Sequence, residues 1–194
     1  MKKRFITGVL IGLVSIITVV QVNGSRPKLV VGVVVDQLRT DYIESLESLF
    51  GEKGFKRLMK EGAYLRDVDF VVANPDAVNA TAMIYTGNYP SKNGVVASSI
   101  YNAEKHKSEA SLNDPASIGN FTTETYSPHN LMLSTISDEV KIDGAGLGAV
   151  YSIALDPQQA IIMAGHAGNS AFWINDNTGK WSTTTYYKDV PQLL

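Results

Sequence analysis

Three short stretches of the sequence place reactive side chains where a fold could use them. Asp36 directly follows an apolar run over residues 28–35, Asp76 and Ala77 lie in a turn that begins Asn-Pro, and His166 stands in a glycine-rich loop. A carboxylate at the end of a buried strand is a good position for a metal ligand, but it could also cap the helix that follows. The histidine could be a ligand or a base, and we expect it to order its loop.

The composition excludes several classes of protein. The chain has 194 residues, 44% of them hydrophobic and 19% charged, with a formal net charge of −2. This is a globular balance with no excess of basic residues, so a nucleic-acid partner is not expected. Since there is no cysteine, zinc fingers, thiol nucleophiles and disulfide frameworks are excluded. The other two histidines, His106 and His129, lie in polar stretches and are expected to be solvated.

The elements that must position these residues follow an α/β pattern. Residues 28–35 are continuously apolar and rich in β-branched side chains, which is typical of a central strand covered on both faces of a parallel sheet. Apolar spacing predicts helices over 40–49 and 54–61. Residues 64–72 are predicted to form a second strand, nearer the sheet edge because charged residues interrupt it.

The rest of the chain continues this mixture of helices and strands. Residues 103–126 are polar and patternless, and we predict that they form a surface excursion. Ser127 and Pro128 are an N-cap and a first-turn proline, so they predict the start of a helix. The other predicted elements are a helix over 79–85 stopped by Gly87, the body of that later helix up to 140, and strands over 148–155, 160–164, 172–174 and 180–187.

The N-terminus has the pattern of a bacterial export signal. A basic stretch at residues 2–4 precedes an uncharged run over 5–20, and compact residues follow at 22–24. We predict a signal peptide over 1–24 and a periplasmic or secreted protein, with an uncleaved inner-membrane anchor as the alternative. The run is short for a membrane span, so no membrane association is expected after cleavage.

Several ordered motifs resemble those of a known family. They are Val35-Asp36-Gln37-Leu38-Arg39-Thr40-Asp41-Tyr42, Gly54-Phe55-Lys56-Arg57-Leu58, the stretch 74–87 closing with Ile84-Tyr85-Thr86-Gly87, Ser127-Pro128-His129-Asn130-Leu131 and Gly165-His166-Ala167. Together they resemble the start of the alkaline phosphatase superfamily, in the branch with a threonine nucleophile. That branch includes bacterial alkaline phosphatases and nucleotide pyrophosphatase/phosphodiesterases. The resemblance covers residues 28–187.

The resemblance carries expectations about fold, cofactor and completeness. It implies a three-layer αβα domain with a mostly parallel central sheet, of which residues 25–194 form an incomplete, N-terminal part. It also implies that Asp36 is a ligand to one of two zinc ions, with the remaining ligands supplied by the later half of family members. We therefore expect this chain to be truncated, a fragment or the first part of a split chain, and we do not expect it to bind zinc alone.

The sequence departs from the family at the nucleophile. Counting back from Thr86-Gly87, the attacking threonine is replaced by Ala77, which has no oxygen with which to attack phosphorus. Thr81 lies one helical turn further on, a displacement of about 5.4 Å. Asp76 could attack in the manner of an aspartyl-phosphate enzyme. We expect instead that Thr81 packs or caps and that Asp76 is a turn residue.

The phosphate-binding positions depart as well. The phosphate-contacting asparagine of the family falls near Ser98 and Ser99, whose hydroxyls are the candidate replacements for substrate binding. The family's Lys-x-Arg clamp falls on Asp156-Pro157-Gln158. A carboxylate at a position that should hold phosphate is repulsive rather than neutral.

Two functions remain open from the sequence. The first is a secreted, metal-dependent phosphoester hydrolase, a phosphatase or phosphodiesterase that is here truncated or degenerate, with a phosphorylated small molecule as its substrate if it is active. The second is a non-catalytic binding protein on the same fold. In either case we expect this chain alone to be inactive, because it lacks a nucleophile oxygen, a cationic clamp and a full set of metal ligands.

Overall fold

A computed structural model describes residues 27–187 of the chain. The chain divides into two units, Met1–Val33 and Val34–Leu194. In the first unit, residues 27–33 form neither helix nor strand, and the side chains of Leu29 and Val33 are exposed. The predicted signal peptide over 1–24 lies outside the described residues and stays a prediction.

Residues 34–187 form short helices and strands. The helices are α1 (Thr40–Leu46), α2 (Phe55–Glu61), α3 (Ala77–Thr86), α4 (Pro90–Asn93), α5 (Ile136–Asp143) and α6 (Pro157–Ala164), with 3₁₀ turns at Glu47–Leu49 and Pro128–Asn130. The strands are β1 (Ser99–Asn102), β2 (Lys107–Ala110), β3 (Gly119–Asn120), β4 (Tyr151–Ala154), β5 (Ser170–Ile174) and β6 (Trp181–Thr184). Among the residues that the structure describes, no helix has the length and apolar character needed to cross a membrane.

The predicted helices over 40–49, 54–61 and 79–85 are confirmed as α1 with its 3₁₀ turn, α2 and α3. Gly87 ends α3 in the left-handed conformation, with φ of 64°. Glycine adopts that conformation without a steric penalty, which is why the helix stops at this residue.

A mixed sheet organises the second half of the chain, in the order β3-β6-β5-β4. β4 pairs with β5 in parallel, and β6 is antiparallel to both β5 and β3. α6 connects β4 to β5 and packs against both strands, while α3 packs on α6. The predicted strands over 148–155, 172–174 and 180–187 are thus confirmed as β4, β5 and β6, and the parallel pair is joined through a helix as in α/β proteins.

The buried core lies between this sheet and its helices. Its largest fully buried side chains include Trp173, Leu112, Ile161, Ile162, Val78 and Val95. Leu112 comes from the stretch 103–126, which also contains β2 and β3. The segment between the β1–β2 hairpin and α5 therefore reaches the core at two apolar side chains, Leu112 and Leu131.

Two predicted strands are wrong within the described residues. Neither 28–35 nor 64–72 pairs in any sheet ladder there, and the side chains of Val31, Val35 and Leu65 are exposed. A parallel strand has no internal hydrogen bonds and depends entirely on its neighbours. An apolar, β-branched run fits a strand locally, but it cannot supply the partner.

Two elements in the second half of the chain also differ from the prediction, one in its type and one in its extent. The segment 160–164 is helical, because Asp156 caps α6 and Pro157 occupies its first turn. The predicted helix from 127 to 140 is interrupted. Ser127 and Pro128 open only a 3₁₀ turn, and α5 begins afresh after its own N-cap, Thr135.

Candidate functional site

The N-terminus of α3 is closed by the chain's own carboxylate. Asp76 Oδ1 accepts hydrogen bonds from the backbone N–H groups of Val78 (2.9 Å) and Asn79 (2.8 Å). Its Oδ2 accepts a third, at 2.7 Å, from the N–H of Ser98. The Asn79 side chain accepts in return from the Asp76 N–H at 2.9 Å, completing a capping box. Two first-turn donors that could face an anion at this helix end, the N–H groups of Val78 and Asn79, are therefore already bonded to Asp76.

Ala77 is the first residue of α3, and Thr81 lies one turn further along the same helix. The Thr81 hydroxyl donates to the Ala77 carbonyl oxygen at 2.7 Å, and the residue is 1% exposed. This is a back-bond to the preceding turn of the helix, common for threonine in helices. Thr81 therefore packs, as expected, and its proton is engaged within the helix.

Gln159 joins α6 to the other candidate residues. Its side-chain nitrogen lies 3.2 Å from both carboxylate oxygens of Asp36. The same nitrogen lies 3.0 Å from the Thr81 hydroxyl oxygen and 3.3 Å from the Ala77 carbonyl oxygen. Asp36 thus lies beside Ala77, as the sequence predicts. It does not stand at the end of a strand, since residues 28–35 form none within the described part of the chain.

Asp156 and Gln158, at the positions of the family's phosphate clamp, form hydrogen bonds with backbone groups instead. Asp156 accepts a hydrogen bond from the Gln159 N–H at 2.9 Å as the N-cap of α6. The Gln158 side chain donates to the Ser98 carbonyl oxygen at 2.9 Å and accepts from the Leu112 N–H at 3.1 Å. Gln158 is therefore a strut between two loops and the helix, because both ends of its amide are used.

The charge at this place is negative. Burial raises the pKa of Asp156, and the neighbouring carboxylates of Glu124 and Asp36 raise it further, against the backbone hydrogen bonds that lower it. A phosphate group placed here would meet carboxylates of the same sign with no lysine or arginine at the clamp positions. Ser98 and Ser99 are exposed, and the backbone N–H and C=O of Ser98 are held by Asp76 and Gln158.

The described residues do not form a zinc site by themselves. Across residues 27–187 no three or more histidine, aspartate or glutamate side chains are grouped as a metal site requires. Both oxygens of Asp36 face an amide nitrogen, which presents hydrogen atoms rather than lone pairs. An amide N–H group and a cation compete for the same carboxylate lone pairs.

Sequence reasoning missed the part played by Gln159. The signal was present, since Asp-Pro followed by a helical stretch predicts a capped helix over 157–164 rather than a strand. That assignment would have placed Gln159 in the first turn of α6. Its contact with Asp36, 123 residues earlier in the chain, depends on the tertiary fold and has no local signal.

Comparison with known proteins gives the same family from sequence and from structure. The family model for type I phosphodiesterase / nucleotide pyrophosphatase matches residues 30–193. The alkaline phosphatase PafA of Elizabethkingia meningoseptica is 37% identical over 175 residues, which are 87% of this chain and 32% of that protein. The alkaline phosphatase PhoV of Synechococcus elongatus is 31% identical over 166 residues, 84% of this chain and 30% of that protein.

The crystal structure of wild-type PafA superposes on this chain with a TM-score of 0.80 at 36% identity, covering 86% of this chain and 33% of that one. The α/β fold of the alkaline phosphatase superfamily is thereby confirmed. The chain spans about a third of the length of the curated relatives it matches.

Proposed function

Because the chain belongs to the type I phosphodiesterase / nucleotide pyrophosphatase family, within the alkaline phosphatase superfamily, we propose that it comes from a degenerate member that does not hydrolyse phosphate esters. One observation carries the proposal. The carboxylate of Asp76 takes the backbone N–H groups of Val78 and Asn79, in the first turn of α3, and that of Ser98. The Asp76 carboxylate therefore uses backbone donors that would otherwise be open to a phosphate group.

The proposed loss of activity starts at the attacking atom. Ala77 stands where the resemblance places the nucleophile, and its methyl group can neither attack phosphorus nor be activated by a metal. Thr81 and Asp76 are the possible substitutes. The first donates its proton to the Ala77 carbonyl, and the second accepts three backbone hydrogen bonds, so neither is poised for attack.

The electrostatics support the same proposal. Transfer of a phosphoryl group builds negative charge on oxygen atoms, and losing one group that stabilises such charge costs roughly 10²-fold or more in rate. Here Asp156 and Gln158 replace the cationic clamp implied by the resemblance. Asp156 lies near the carboxylates of Glu124 and Asp36, and negative charges repel a phosphate rather than bind it.

The proposal extends to metal and location. Active members of the family are expected to use two zinc ions. We propose that this protein does not hold zinc at Asp36, since the side-chain nitrogen of Gln159 lies within hydrogen-bond distance of both carboxylate oxygens. The N-terminal export pattern supports a periplasmic or secreted protein. These hydrogen bonds favour a non-catalytic role on the same fold, in binding rather than in turnover.

Phosphate binding tests the proposal without relying on turnover. Inorganic phosphate is titrated into the intact gene product in a calorimeter, with and without zinc, beside wild-type PafA prepared identically. The proposal predicts no binding heat above dilution for this protein. Saturable binding at millimolar phosphate or below, removed by Asp36→Ala, would overturn it. Circular dichroism of both proteins confirms that each is folded.

A further inference from the structure

His166 lies in the loop after α6, on the far side of Gly165, and both of its ring nitrogens are paired. Nδ1 lies 3.2 Å from Asp138 Oδ2, and Nε2 lies 2.9 Å from the backbone carbonyl oxygen of Leu131. Both partners are acceptors, because a carboxylate and a carbonyl have no hydrogen to give. A neutral imidazole has one N–H and one lone pair, so only the doubly protonated ring satisfies both contacts.

We propose that His166 and Asp138 form a pH-responsive clasp that holds the 3₁₀ turn at Pro128–Asn130, α5 and the loop after α6 together when the imidazole is protonated, and that loosens when it is neutral. The clasp does not depend on the proposed absence of catalysis. It is built from residues that the candidate site does not use.

Asp138 is the fixed half of the clasp. It is 4% exposed, and its carboxylate accepts hydrogen bonds from the Thr135 N–H (2.8 Å), the Thr135 hydroxyl (3.0 Å) and the Ala167 N–H (2.7 Å). Burial alone would raise its pKa, but the hydrogen bonds from His166, Thr135 and Ala167 bring it down to about 2. The carboxylate therefore stays ionised at every pH at which His166 titrates.

The loop that the clasp holds also anchors the chain after β6. The Tyr187 hydroxyl lies 2.8 Å from the Gly165 carbonyl oxygen and 3.2 Å from that of Ile161. The Tyr186 hydroxyl donates to the His166 carbonyl oxygen at 3.3 Å. Loosening the loop therefore disturbs the hydrogen bonds of the Tyr186 and Tyr187 hydroxyls, and Tyr187 is 3% exposed.

The groups that face His166 leave Asp138 as its main electrostatic partner. On α5, Asp138 contacts the imidazole, and Lys141 lines the same cavity as His166. From the segment after β6 the facing groups are Tyr186 and Tyr187, and from the 3₁₀ turn they are the backbone carbonyls of Leu131 and Pro128. The tyrosines have raised pKa values because of burial, so they are neutral throughout the range in which histidine titrates.

Deprotonation breaks one side of the clasp. The neutral ring keeps Nδ1–H toward the charged carboxylate, which leaves the Nε2 lone pair against the Leu131 carbonyl oxygen. That contact changes from attractive to repulsive. The hydrogen bond that His166 donates to Asp138 raises the pKa of His166 above its usual 6.5, with burial opposing it. The stabilisation is complete below pH 6.5 and is lost as the pH rises through the folded-state pKa.

Two measurements on the intact protein test the clasp. ¹⁵N NMR of histidine ring nitrogens gives the pKa of His166 and shows whether both nitrogens carry hydrogen at pH 6. Urea unfolding between pH 5.5 and 9 gives the equilibrium constant. We expect a pKa above 6.5, and an unfolding constant that rises with pH by about tenfold for each unit of that excess. His166→Gln should lose this part of the pH dependence, whereas His106→Asn, in the β1–β2 turn, should keep it.

A His166 pKa at or below 6.5 overturns the proposal, as does a ring with one N–H at pH 6. Equal pH dependence in wild type and His166→Gln overturns it too. Should the glutamine variant fail to fold, the NMR titration of the wild type decides alone. None of these readouts depends on phosphate binding or hydrolysis, so this proposal and the proposed function fail separately.

Discussion

The side-chain nitrogen of Gln159 lies 3.2 Å from each carboxylate oxygen of Asp36. An amide has two N–H groups, and here four oxygen atoms from three residues surround it: both of Asp36, the Ala77 carbonyl and the Thr81 hydroxyl. The position expected to bind a metal is therefore occupied by a hydrogen-bond donor. The contact joins the first turn of α6 to Asp36, which lies four residues before the start of α1.

This contact should be measurable as a coupling energy. Gln159→Ala and Asp36→Ala, alone and together, form a double-mutant cycle on urea unfolding. We expect a coupling of about 1 kcal/mol, as for a hydrogen bond to a partly exposed charged group. Coupling within error of zero would show that the two side chains do not interact in solution. Asp36→Ala with Lys107→Ala, on β2, provides the uncoupled control pair.

Removing the carboxylate at the start of α3 should weaken the fold. Asp76→Ala leaves the N–H groups of Val78, Asn79 and Ser98 without their acceptor. We expect a loss of about 1–2 kcal/mol in the free energy of unfolding, the range for a lost helix cap. Asp41→Ala, which removes an exposed surface carboxylate near the start of α1, should cost under about 0.5 kcal/mol.

A similar cost for both aspartate variants would contradict the capping role. Asp76→Asn is the informative intermediate, because its amide oxygen can still accept hydrogen bonds at the helix end while its amide nitrogen cannot. It should recover part of the stability lost by the alanine variant.

Gly165 should tolerate no side chain. Its φ is +70°, and a Cβ built there would collide with the Thr135 hydroxyl and lie 2.7 Å from both carboxylate oxygens of Asp138. Gly179 has almost the same φ, +65°, with nothing within 4 Å of its Cβ position. Gly179→Ala should therefore cost about 1 kcal/mol for the backbone alone. Gly165→Ala should cost clearly more, because its ψ of −165° belongs to a region nearly restricted to glycine and because the new Cβ also collides.

Thermal unfolding of the two glycine variants measures that difference. A lower melting temperature for Gly165→Ala than for Gly179→Ala is the expected order. Equal melting temperatures would mean that the loop after α6 can move away from Asp138, and the packing argued for the clasp would then be wrong.

Acid should remove the stabilisation that Asp138 provides. Its pKa is about 2 in the folded chain against a usual value of 3.8. A lowered pKa contributes stability above the unfolded value and loses it as the pH falls through the folded value, here between about pH 4 and pH 2. The loss should be about 2 kcal/mol.

The comparison that isolates this effect is Asp138→Asn against wild type, by urea unfolding from pH 7 to pH 2.5. Asp114 also has a lowered pKa, chiefly through the Ser127 hydroxyl, so both proteins lose stability in acid. Only the difference between them reports Asp138. If that difference stays constant over the pH range, the assignment is incorrect.

The sequence predicts helices better than strands in this chain. Apolar spacing predicts α1, α2 and α3, with Gly87 as the stop of α3, whereas Asp76, expected to be a turn residue, caps a helix that begins two residues earlier than predicted. The runs 28–35 and 64–72 have strand composition, yet a strand exists only if another segment pairs with it. The apolar run over 160–164 by itself predicts a strand, but the Asp-Pro cap before it starts a helix that includes these residues.

The candidate site likewise has features that the sequence predicts and features that only the folded chain shows. Residue identities alone show what Ala77 lacks and that Asp156 opposes phosphate. The contacts of Gln158 and Gln159 cannot be predicted in this way, because each side chain bonds to residues at least 46 places away in the sequence. No local pattern predicts that a glutamine will face Asp36, so its role is visible only in the folded chain.

Zinc-dependent turnover of an activated aryl phosphate by the intact gene product tests the central claim most directly. Wild type and Ala77→Thr are measured beside wild-type PafA and a buffer-plus-zinc blank. We predict that both forms of this protein stay at the blank rate, since Ala77→Thr restores an oxygen but neither the clamp nor an open Asp36 carboxylate. A wild-type rate well above the blank and abolished by Asp36→Ala would contradict the account and make Thr81 and Asp76 the nucleophiles to test.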